Sequence, residues 1–369
     1  MAYRNIKNLN LFHLFVLRPE LAHANKIAST EYMQPNLQDD LIDKILNRFP
    51  KKSQAAEKLM EVLSLNRDGV YRRLRGDTML NAVEIQTLAT HFDISLDSIL
   101  SDKQGKVSFS YNRSEQPISS FLDYLQLINY QISLFVRQPN IHAHYTAREV
   151  PIFIYMMFPR LMALKLYIYG LTNWNLDYLQ HRKFRFDLIT AKELEIAYAT
   201  GKLYCALDST DYWTLSFLDQ SLNQIEYMLL DGRFERAEDA FEICSDLVEL
   251  VRHCRHMAEE GKKFMPGQKP LEQNGQFELF HNELTGTYNT ILGVTETHSI
   301  LYHTLDGPNF IFTTDQEMCS YMERWFQSMI STSTAISIHS SKNRNYYFNR
   351  LEEKVNQMAR RLELLIPQL

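Results

Sequence analysis

The sequence contains little glycine and proline, with 12 and 11 of these residues in 369. Tight turns between strands depend on these two residue types, so their scarcity favours helices over long sheets with many hairpins. Cysteine is also scarce. The chain has four cysteines, which lie far apart and form no CxxC pair. This spacing does not suggest a disulfide framework, and it predicts reduced thiols in a cytoplasmic protein.

Recognisable catalytic motifs are missing as well. No GxSxG, HExxH, Walker-type or GxGxxG pattern occurs, and no carboxylate pair stands out for acid–base chemistry. His253 and His256 share a helix face, but Cys254 points about 100° away from His253, which is a poor arrangement for a zinc site. The sequence therefore predicts no enzyme, no metal and no cofactor.

A membrane span is not expected either. The longest apolar run, residues 150–171, contains Pro159, Arg160 and Lys165. Charged residues are costly at bilayer depth and proline breaks helices, so we predict a buried helix pair that breaks near Pro159. The apolar run 11–17 is short for a signal peptide, and no clean cleavage site follows it. Export is therefore not predicted.

Organised sequence begins near residue 37, and residues 1–36 are interpreted as an N-terminal extension, with Met33 as an alternative translation start. Residues 37–100 predict about five short helices joined by breaks of three or four residues. Ser53 is a candidate cap for a helix over 54–63, and Ser95 for one over 96–100. Asn81 with Glu84 resembles a capping box, and Gly76 is placed to end the helix that follows the break at 64–66.

Residues 101–117 are polar and turn-prone, and they are interpreted as a linker. Residues 118–369 are predicted to be mainly helical, with candidate helices at 118–136, 149–170, 175–200, 211–230, 233–260 and 345–365. The stretch 285–314 is rich in threonine, isoleucine and aromatic residues and predicts a small three-stranded meander. The expected fold class is thus mainly α: a five-helix N-terminal domain and a larger helical C-terminal domain containing this β meander.

The charge is unevenly distributed along the chain. Residues 44–75 contain nine basic and three acidic side chains, whereas residues 101–369 contain 26 basic and 32 acidic ones. The whole chain has a net charge of −5, so a nucleic-acid site would have to be a local patch. A short basic helical module joined to an acidic body has the charge that phosphate-backbone binding requires.

Residues 53–100 resemble the helix-turn-helix of phage-repressor/Cro-type (XRE) bacterial regulators. The resemblance rests on apolar residues around the first helix and turn (Leu59, Leu63, Leu65), on Val70 six places before Gly76, and on the closing segment ISLDSIL. Three positions depart from the family pattern. Met60 stands in place of a small alanine, Ser64 replaces the turn glycine, and Arg73 replaces an apolar residue. Met60 and Ser64 imply slightly altered helix packing. Arg73 leaves open whether Val70, Tyr71 and Leu74 form the buried stripe of the second helix instead.

The resemblance implies a recognition helix over about 66–75 that enters the major groove. Its first turn would read bases: Asn66 adenine, Arg67 guanine and Asp68 the cytosine amino group. Tyr71 and Arg72 would reach a base edge or phosphate. The remaining candidates are better placed for phosphates, and they are Arg75, Lys51, Lys52 and Gln54. Gly69, in the helix interior, would allow close approach to another helix or to DNA.

The sequence thus predicts a cytoplasmic transcriptional regulator that binds double-stranded DNA through residues 37–100. A homodimer is expected, because one short helix reads few base pairs and two half-sites are the usual remedy. Residues 118–369 would dimerise, and they could also bind a small-molecule or protein effector. The alternative is a non-enzymatic helical scaffold whose basic helix docks an acidic protein partner.

Overall fold

The computed structural model describes residues 37–92, 94–96, 99, 107–111, 117–284, 286, 289–306 and 308–365. The chain divides into two compact units, Met1–Leu100 (unit 1) and Ser101–Leu369 (unit 2). The expected extension over residues 1–36 lies outside the described residues. The same holds for most of the expected fifth helix, residues 96–100, and most of the expected linker, residues 101–117.

The described part of unit 1 contains the helices α1 (Leu37–Leu46), α2 (Lys52–Leu63), α3 (Arg67–Leu74) and α4 (Ala82–His91). Each helix places apolar side chains at spacings of three or four residues, which puts them on one face. These faces form one core, which contains Leu41, Ile45, Leu59, Val70 and Leu88. The predicted series of short helices is confirmed over these residues.

The helix ends of unit 1 differ in how well the sequence predicted them. The predicted capping box is confirmed: the Asn81 side chain accepts the Glu84 N–H at 2.9 Å, and the Glu84 carboxylate accepts the Asn81 N–H at 3.0 Å. Gly76 follows α3 with φ +75°, a left-handed conformation typical of a glycine after a helix. The predicted Ser53 cap was wrong, because α2 starts at Lys52 and Lys51 precedes it without a side-chain cap.

Unit 2 is built on one sheet. Its strands are β1 (Ser110–Tyr111), β2 (His142–Ala147), β3 (Asp208–Trp213), β4 (Phe277–His281), β5 (Thr290–Val294), β6 (Ser299–Asp306), β7 (Asn309–Thr313) and β8 (Thr334–Ala335). They form an eight-stranded sheet in the order β1-β7-β6-β5-β2-β3-β4-β8. Strands β2, β3 and β4 are parallel, and the other neighbouring pairs are antiparallel.

The predicted fold class, mainly α with a small meander, was therefore wrong. Strands β5, β6 and β7 do pair consecutively, but β5 also pairs with β2 and joins them to the parallel strands. Strand β1 lies inside the expected linker and pairs with β7. The scarcity of glycine and proline misled the prediction because parallel strands are joined by long helical crossovers, which need no tight turns.

The helices of unit 2 are α5 (Phe121–Val136), α6 (Ile152–Tyr155), α7 (Pro159–Thr172), α8 (Ala191–Tyr204), α9 (Asp219–Leu230), α10 (Asp239–Glu260), α11 (Gln316–Thr332) and α12 (Ser341–Leu365). The buried helix pair predicted over 150–171 is confirmed as α6 and α7, and Pro159 is the first residue of α7. The predicted helix over 211–230 was partly wrong, because its first three residues belong to β3. In the described part of the chain, no helix is both long and apolar enough to cross a membrane.

Helices cover both faces of the sheet. Side chains alternate along a strand, so Trp213 points to one face and Tyr212 to the other. On the first face, Tyr145, Trp213 and Leu279 belong to the large core that the helices α5 to α10 and α12 complete. On the opposite face, Tyr212 and Leu292 pack against Phe326 of α11. The sheet is therefore an interior layer of unit 2.

Candidate nucleic-acid interface

The turn between α2 and α3 is three residues long and contains a left-handed residue. Ser64 has φ +53° and ψ +40°, and the next N–H, of Leu65, donates to the Met60 carbonyl at 3.2 Å. This backbone conformation strongly favours glycine, since other L residues meet a steric penalty there. The serine that departs from the helix-turn-helix pattern thus occupies a position where glycine would be favoured.

Asn66 fixes the start of α3. Its Oδ1 accepts the N–H of Gly69 at 2.8 Å, which satisfies one of the free donors in the first turn. Reading adenine would require both the oxygen and the nitrogen of the amide, and the oxygen is already engaged. As long as the cap is formed, only the Nδ2 of Asn66 is left to donate to a base.

Gly69 follows in the first turn, and a Cβ there would lie 3.1 Å from the Asn66 Oδ1 and 3.8 Å from the Arg73 Nη1. Both atoms belong to residues of the same helix or its cap. The missing side chain therefore leaves room for the Asn66 cap. Approach of the helix to another helix or to DNA at this glycine, which the sequence suggested, stays a prediction.

The inner side of α3 is fixed to the rest of unit 1. Val70 is buried, and Tyr71 and Leu74 are partly buried against the same core, which answers the question about the buried stripe. The Arg73 guanidinium donates to both Glu84 carboxylate oxygens at 2.7 and 3.0 Å, and also to the Gly69 carbonyl at 3.1 Å. Arg73 is therefore committed to the structure of unit 1.

The Arg73–Glu84 pair is well shielded from solvent. The two side chains are only 17% and 13% exposed, so the pair is less screened than a surface ion pair. Burial of Glu84 tends to raise the pKa of its carboxyl. The hydrogen bond from Arg73, the Asn81 N–H and the arginine charge together outweigh burial, so the pKa is lowered. The carboxylate thus remains charged and joins α3 to α4.

The outer side of α3 carries exposed charges. Arg72 and Asp68 form an ion pair at 3.0 Å, and both side chains are more than half exposed. The Arg67 guanidinium carbon lies 5.7 Å from the centre of the Tyr71 ring, within cation–π distance. Beyond the helix, Arg75 pairs with Asp77 at 2.8 Å. Arg67, Arg72 and Arg75 therefore face solvent, in contrast to Arg73.

The remaining candidates lie at the start of α2. Lys51, Lys52 and Gln54 are all exposed, and no side chain of the described residues caps this helix end. The N-terminus of a helix presents free N–H groups and a partial positive charge, which favour anions. The structure thus brings two lysines and a helix N-terminus together in unit 1.

Sequence reasoning missed Gln38, which is buried on α1. Its Nε2 donates to the carbonyls of Arg73 and Thr78 at 3.0 and 3.1 Å, and its Oε1 accepts the Leu80 N–H at 2.6 Å. This one amide satisfies backbone groups at the end of α3 and before α4. A polar residue on the apolar face of α1, three and four places before Leu41 and Ile42, was the available sequence signal.

The histidine cluster of α10 has a structural explanation. His253 is buried, and its Nε2 lies 2.8 Å from the Phe264 carbonyl oxygen. Among the residues that the structure describes, no group of three or more histidine, cysteine, aspartate or glutamate side chains could hold a metal ion.

Comparisons with protein-family models, with curated proteins and with solved structures found no match to this chain.

Proposed function

We propose that unit 1 binds duplex DNA with α3 in the major groove, and that the protein is a sequence-specific transcriptional regulator. The observation that carries this proposal is the distribution of arginines around α3. Arg73 is turned inward to Glu84, whereas Arg67 and Arg72 face solvent on the outer side. A helix held firmly on one side, with basic and polar groups exposed on the other, suits groove binding.

The side chains of the outer face suit different parts of a duplex. Arg67 is assigned to the guanine edge, Asp68 to the cytosine amino group and Arg72 to a neighbouring base edge or phosphate. Tyr71 packs partly against the core of unit 1, and the exposed part of its side chain is assigned to the same base edge or phosphate. Contacts to phosphates fix the register of the protein on DNA, and they are assigned to Arg75, Lys51, Lys52 and Gln54. Asn66 contributes through its Nδ2, since its Oδ1 caps α3.

The ion pairs of the outer face do not prevent DNA binding. An exposed pair such as Asp68–Arg72 contributes only about 0–1 kcal/mol, so a phosphate or base can replace the carboxylate at small cost. Arg75 can leave Asp77 in the same way. The protein is further proposed to act in the cytoplasm as a homodimer, with unit 2 responsible for dimerisation and two half-sites in the operator.

The first test is selection of bound duplexes from a random library, followed by affinity measurements on the selected sequence at fixed salt. We expect Arg67→Ala and Arg72→Ala each to weaken binding by about 1–3 kcal/mol, or roughly 5- to 150-fold, because each removes a base or phosphate contact. The selected sequences should also contain two half-sites, as a dimer requires.

Arg350→Ala is the matched control, because Arg350 is also an exposed helical arginine, paired with Glu353 at 3.4 Å in α12. The Arg350→Ala variant should bind DNA with the same affinity as the unaltered protein. If both α3 variants also retain full affinity at the same salt concentration, α3 is not the recognition helix.

A salt titration with random duplex DNA distinguishes the rival function. Phosphate contacts release counterions, so the logarithm of the affinity should fall linearly with the logarithm of the salt concentration. Absence of binding to DNA even at low salt would instead favour a scaffold that docks an acidic protein.

A further inference from the structure

Unit 2 contains a cavity of about 310 Å³ on the sheet face that packs against α5. This volume lies at the lower end of the range of about 300–1,000 Å³ typical of small-molecule sites. Most of the wall is aromatic or aliphatic, with side chains from α5, the sheet and the segment after β2. The aromatic part of the wall includes Tyr124, Phe135, Phe153, Tyr169, Tyr302 and Phe310.

Three polar groups of the wall have no hydrogen-bond partner within the described residues. They are the ammonium of Lys263, the hydroxyl of Tyr204 and the side-chain oxygen of Gln131. Lys263 is 0% exposed and Tyr204 is 3% exposed. A buried polar group without a partner is costly, and such groups usually bind a water molecule or a ligand. Their presence in one cavity indicates a site for a ligand with polar groups.

Lys263 and Tyr204 are close together. The Lys263 Nζ lies 4.2 Å from the centre of the Tyr204 ring and 5.7 Å from that of Phe277. These rings offer their π faces to the ammonium but accept no ordinary hydrogen bond. The three N–H donors of Lys263 and the O–H of Tyr204 thus need an acceptor that the described protein groups do not supply.

The Asp211 carboxylate offsets the positive charge of Lys263, but it is not the missing hydrogen-bond acceptor. Its two carboxylate oxygens accept from the Ser209 hydroxyl at 2.6 Å and from the Trp213 indole N–H at 3.2 Å. Burial lowers the pKa of Lys263 to about 8, opposed by the negative charge of Asp211. At neutral pH the ammonium form therefore still predominates, and it remains a strong donor to a bound molecule.

We propose that this cavity binds a small organic molecule with an aromatic or aliphatic body and a carboxylate head group, which accepts hydrogen bonds from Lys263 and Tyr204. The body fills the aromatic part of the cavity. The oxygen of Gln131 can accept a hydrogen bond from a donor on that body. That this ligand regulates DNA binding rests on the proposed function, whereas binding of the ligand to the cavity does not.

The proposal is tested on the full chain, without DNA, by titration calorimetry with three probes of equal body and different head group. The probes are 4-phenylbutyrate, 4-phenylbutanol and 4-phenylbutylamine. We expect the carboxylate to bind at least tenfold more tightly than the alcohol, and the amine to bind most weakly. Equal or tighter binding of the amine, or no binding of any probe, would overturn the proposal.

Two variants locate the site. Lys263→Met and Tyr204→Phe should each weaken 4-phenylbutyrate binding about tenfold or more, since each removes one donor to the head group. Tyr204→Phe should fold normally, because it removes only a hydroxyl that has no hydrogen-bond partner among the described residues. Unchanged affinity for the carboxylate in Tyr204→Phe and in folded Lys263→Met would contradict the assignment.

Lys165→Met is the matched control. Lys165 is also a fully buried lysine near an aromatic ring, with its Nζ 4.9 Å from the centre of the Tyr155 ring. Unlike Lys263, it donates to the Gln224 side chain at 2.9 Å and does not line the cavity. Retained carboxylate binding in this variant supports the site, and an equal loss in both lysine variants argues against it.

Discussion

Ser64 has φ +53° in the turn between α2 and α3, where an L residue other than glycine or asparagine is strained. The strain does not follow from the residue type, because serine is common in turns of many conformations. It follows from the short path that the chain takes between two helices packed in one core. The residue is exposed, so a change here acts on the backbone alone.

We expect Ser64→Gly to stabilise unit 1 by about 1 kcal/mol, because glycine adopts this conformation without a steric penalty. The gain is partly offset by the greater freedom of glycine in the unfolded chain. The three tryptophans, Trp174, Trp213 and Trp325, all lie in unit 2. Tryptophan fluorescence therefore reports on unit 2, and the local stability of unit 1 is measured by hydrogen exchange of the α2 and α3 amides.

Ser53→Gly is the matched control, since Ser53 is an exposed serine within α2. Glycine in a helix costs about 0.5–1 kcal/mol, so this variant should be less stable than the parent. Faster exchange in Ser64→Gly than in the parent would show that the turn is not strained.

At the scale of elements, the position of α3 depends on polar contacts as well as on apolar packing. Val70 is its one fully buried apolar residue, and the helix has only eight residues. Arg73 of α3 donates to the Glu84 carboxylate in α4, and Gln38 of α1 donates to the Arg73 carbonyl at the end of α3. A short helix with little buried apolar surface needs such fixed contacts to hold one orientation.

We expect Glu84→Gln to destabilise unit 1 by about 1.5–3 kcal/mol at pH 7, because the Arg73 guanidinium loses a charged, largely buried partner. The pKa of Glu84 is lowered in the folded protein, so its contribution is present above the ordinary pKa and is lost as the pH falls through the folded value. The difference between variant and parent should therefore shrink in acid. Hydrogen exchange at several pH values provides the measurement.

Glu61→Gln is suited as the control, because Glu61 also pairs with a basic residue, Lys58 at 2.9 Å, but is 70% exposed. Little change in stability is expected for it, since exposed pairs contribute little. Equal effects of the two substitutions would indicate that the Arg73–Glu84 pair is no more important than a surface pair.

At the scale of the whole molecule, the parallel strands of unit 2 depend on a close backbone contact. Gly275 lies just before β4, and its N–H donates to the Cys205 carbonyl at 2.9 Å. A Cβ at this position would lie 2.4 Å from the Leu207 carbonyl oxygen. Both neighbours precede β3, so the glycine lets the chain before β4 approach the chain before β3.

Gly275→Ala should destabilise unit 2 by about 3 kcal/mol, because the methyl group meets backbone that cannot rotate away. Thermal unfolding followed by tryptophan fluorescence reports on unit 2, and a lower Tm is expected. Gly286→Ala is the control, since a Cβ there meets no atom of the described residues within 4 Å. If both variants unfold at the parent temperature, the backbone contact is less tight than its geometry implies.

The local sequence predicted unit 1 better than unit 2. Apolar periodicity and the Asn81–Glu84 pair depend on neighbours a few residues apart, so the described helices and the capping box followed from the sequence. Strand β3 reads Asp-Ser-Thr-Asp-Tyr-Trp, with four polar residues, and it was assigned in part to a helix. Three of these polar side chains, Ser209, Thr210 and Asp211, are buried, so the usual alternation of polar and apolar residues was absent.

The candidate interface, too, was only partly predictable from the sequence. Its charge and approximate bounds were evident from the arginines and the breaks around them, but the roles of individual side chains were not. Whether Arg73 or Arg72 faced solvent depended on Glu84, eleven residues away. The cavity was inaccessible to sequence reasoning, because Lys263, Tyr204 and Gln131 come from distant segments.

The sequence by itself thus determined the short helices of unit 1, the Asn81–Glu84 capping box and the basic charge of residues 44–75, because these depend on composition and near neighbours. Only the tertiary structure decided the eight-stranded sheet, the inward turn of Arg73 and the polar groups of the cavity wall. Strand pairing and burial depend on residues far apart in the chain, whose meeting no local pattern encodes.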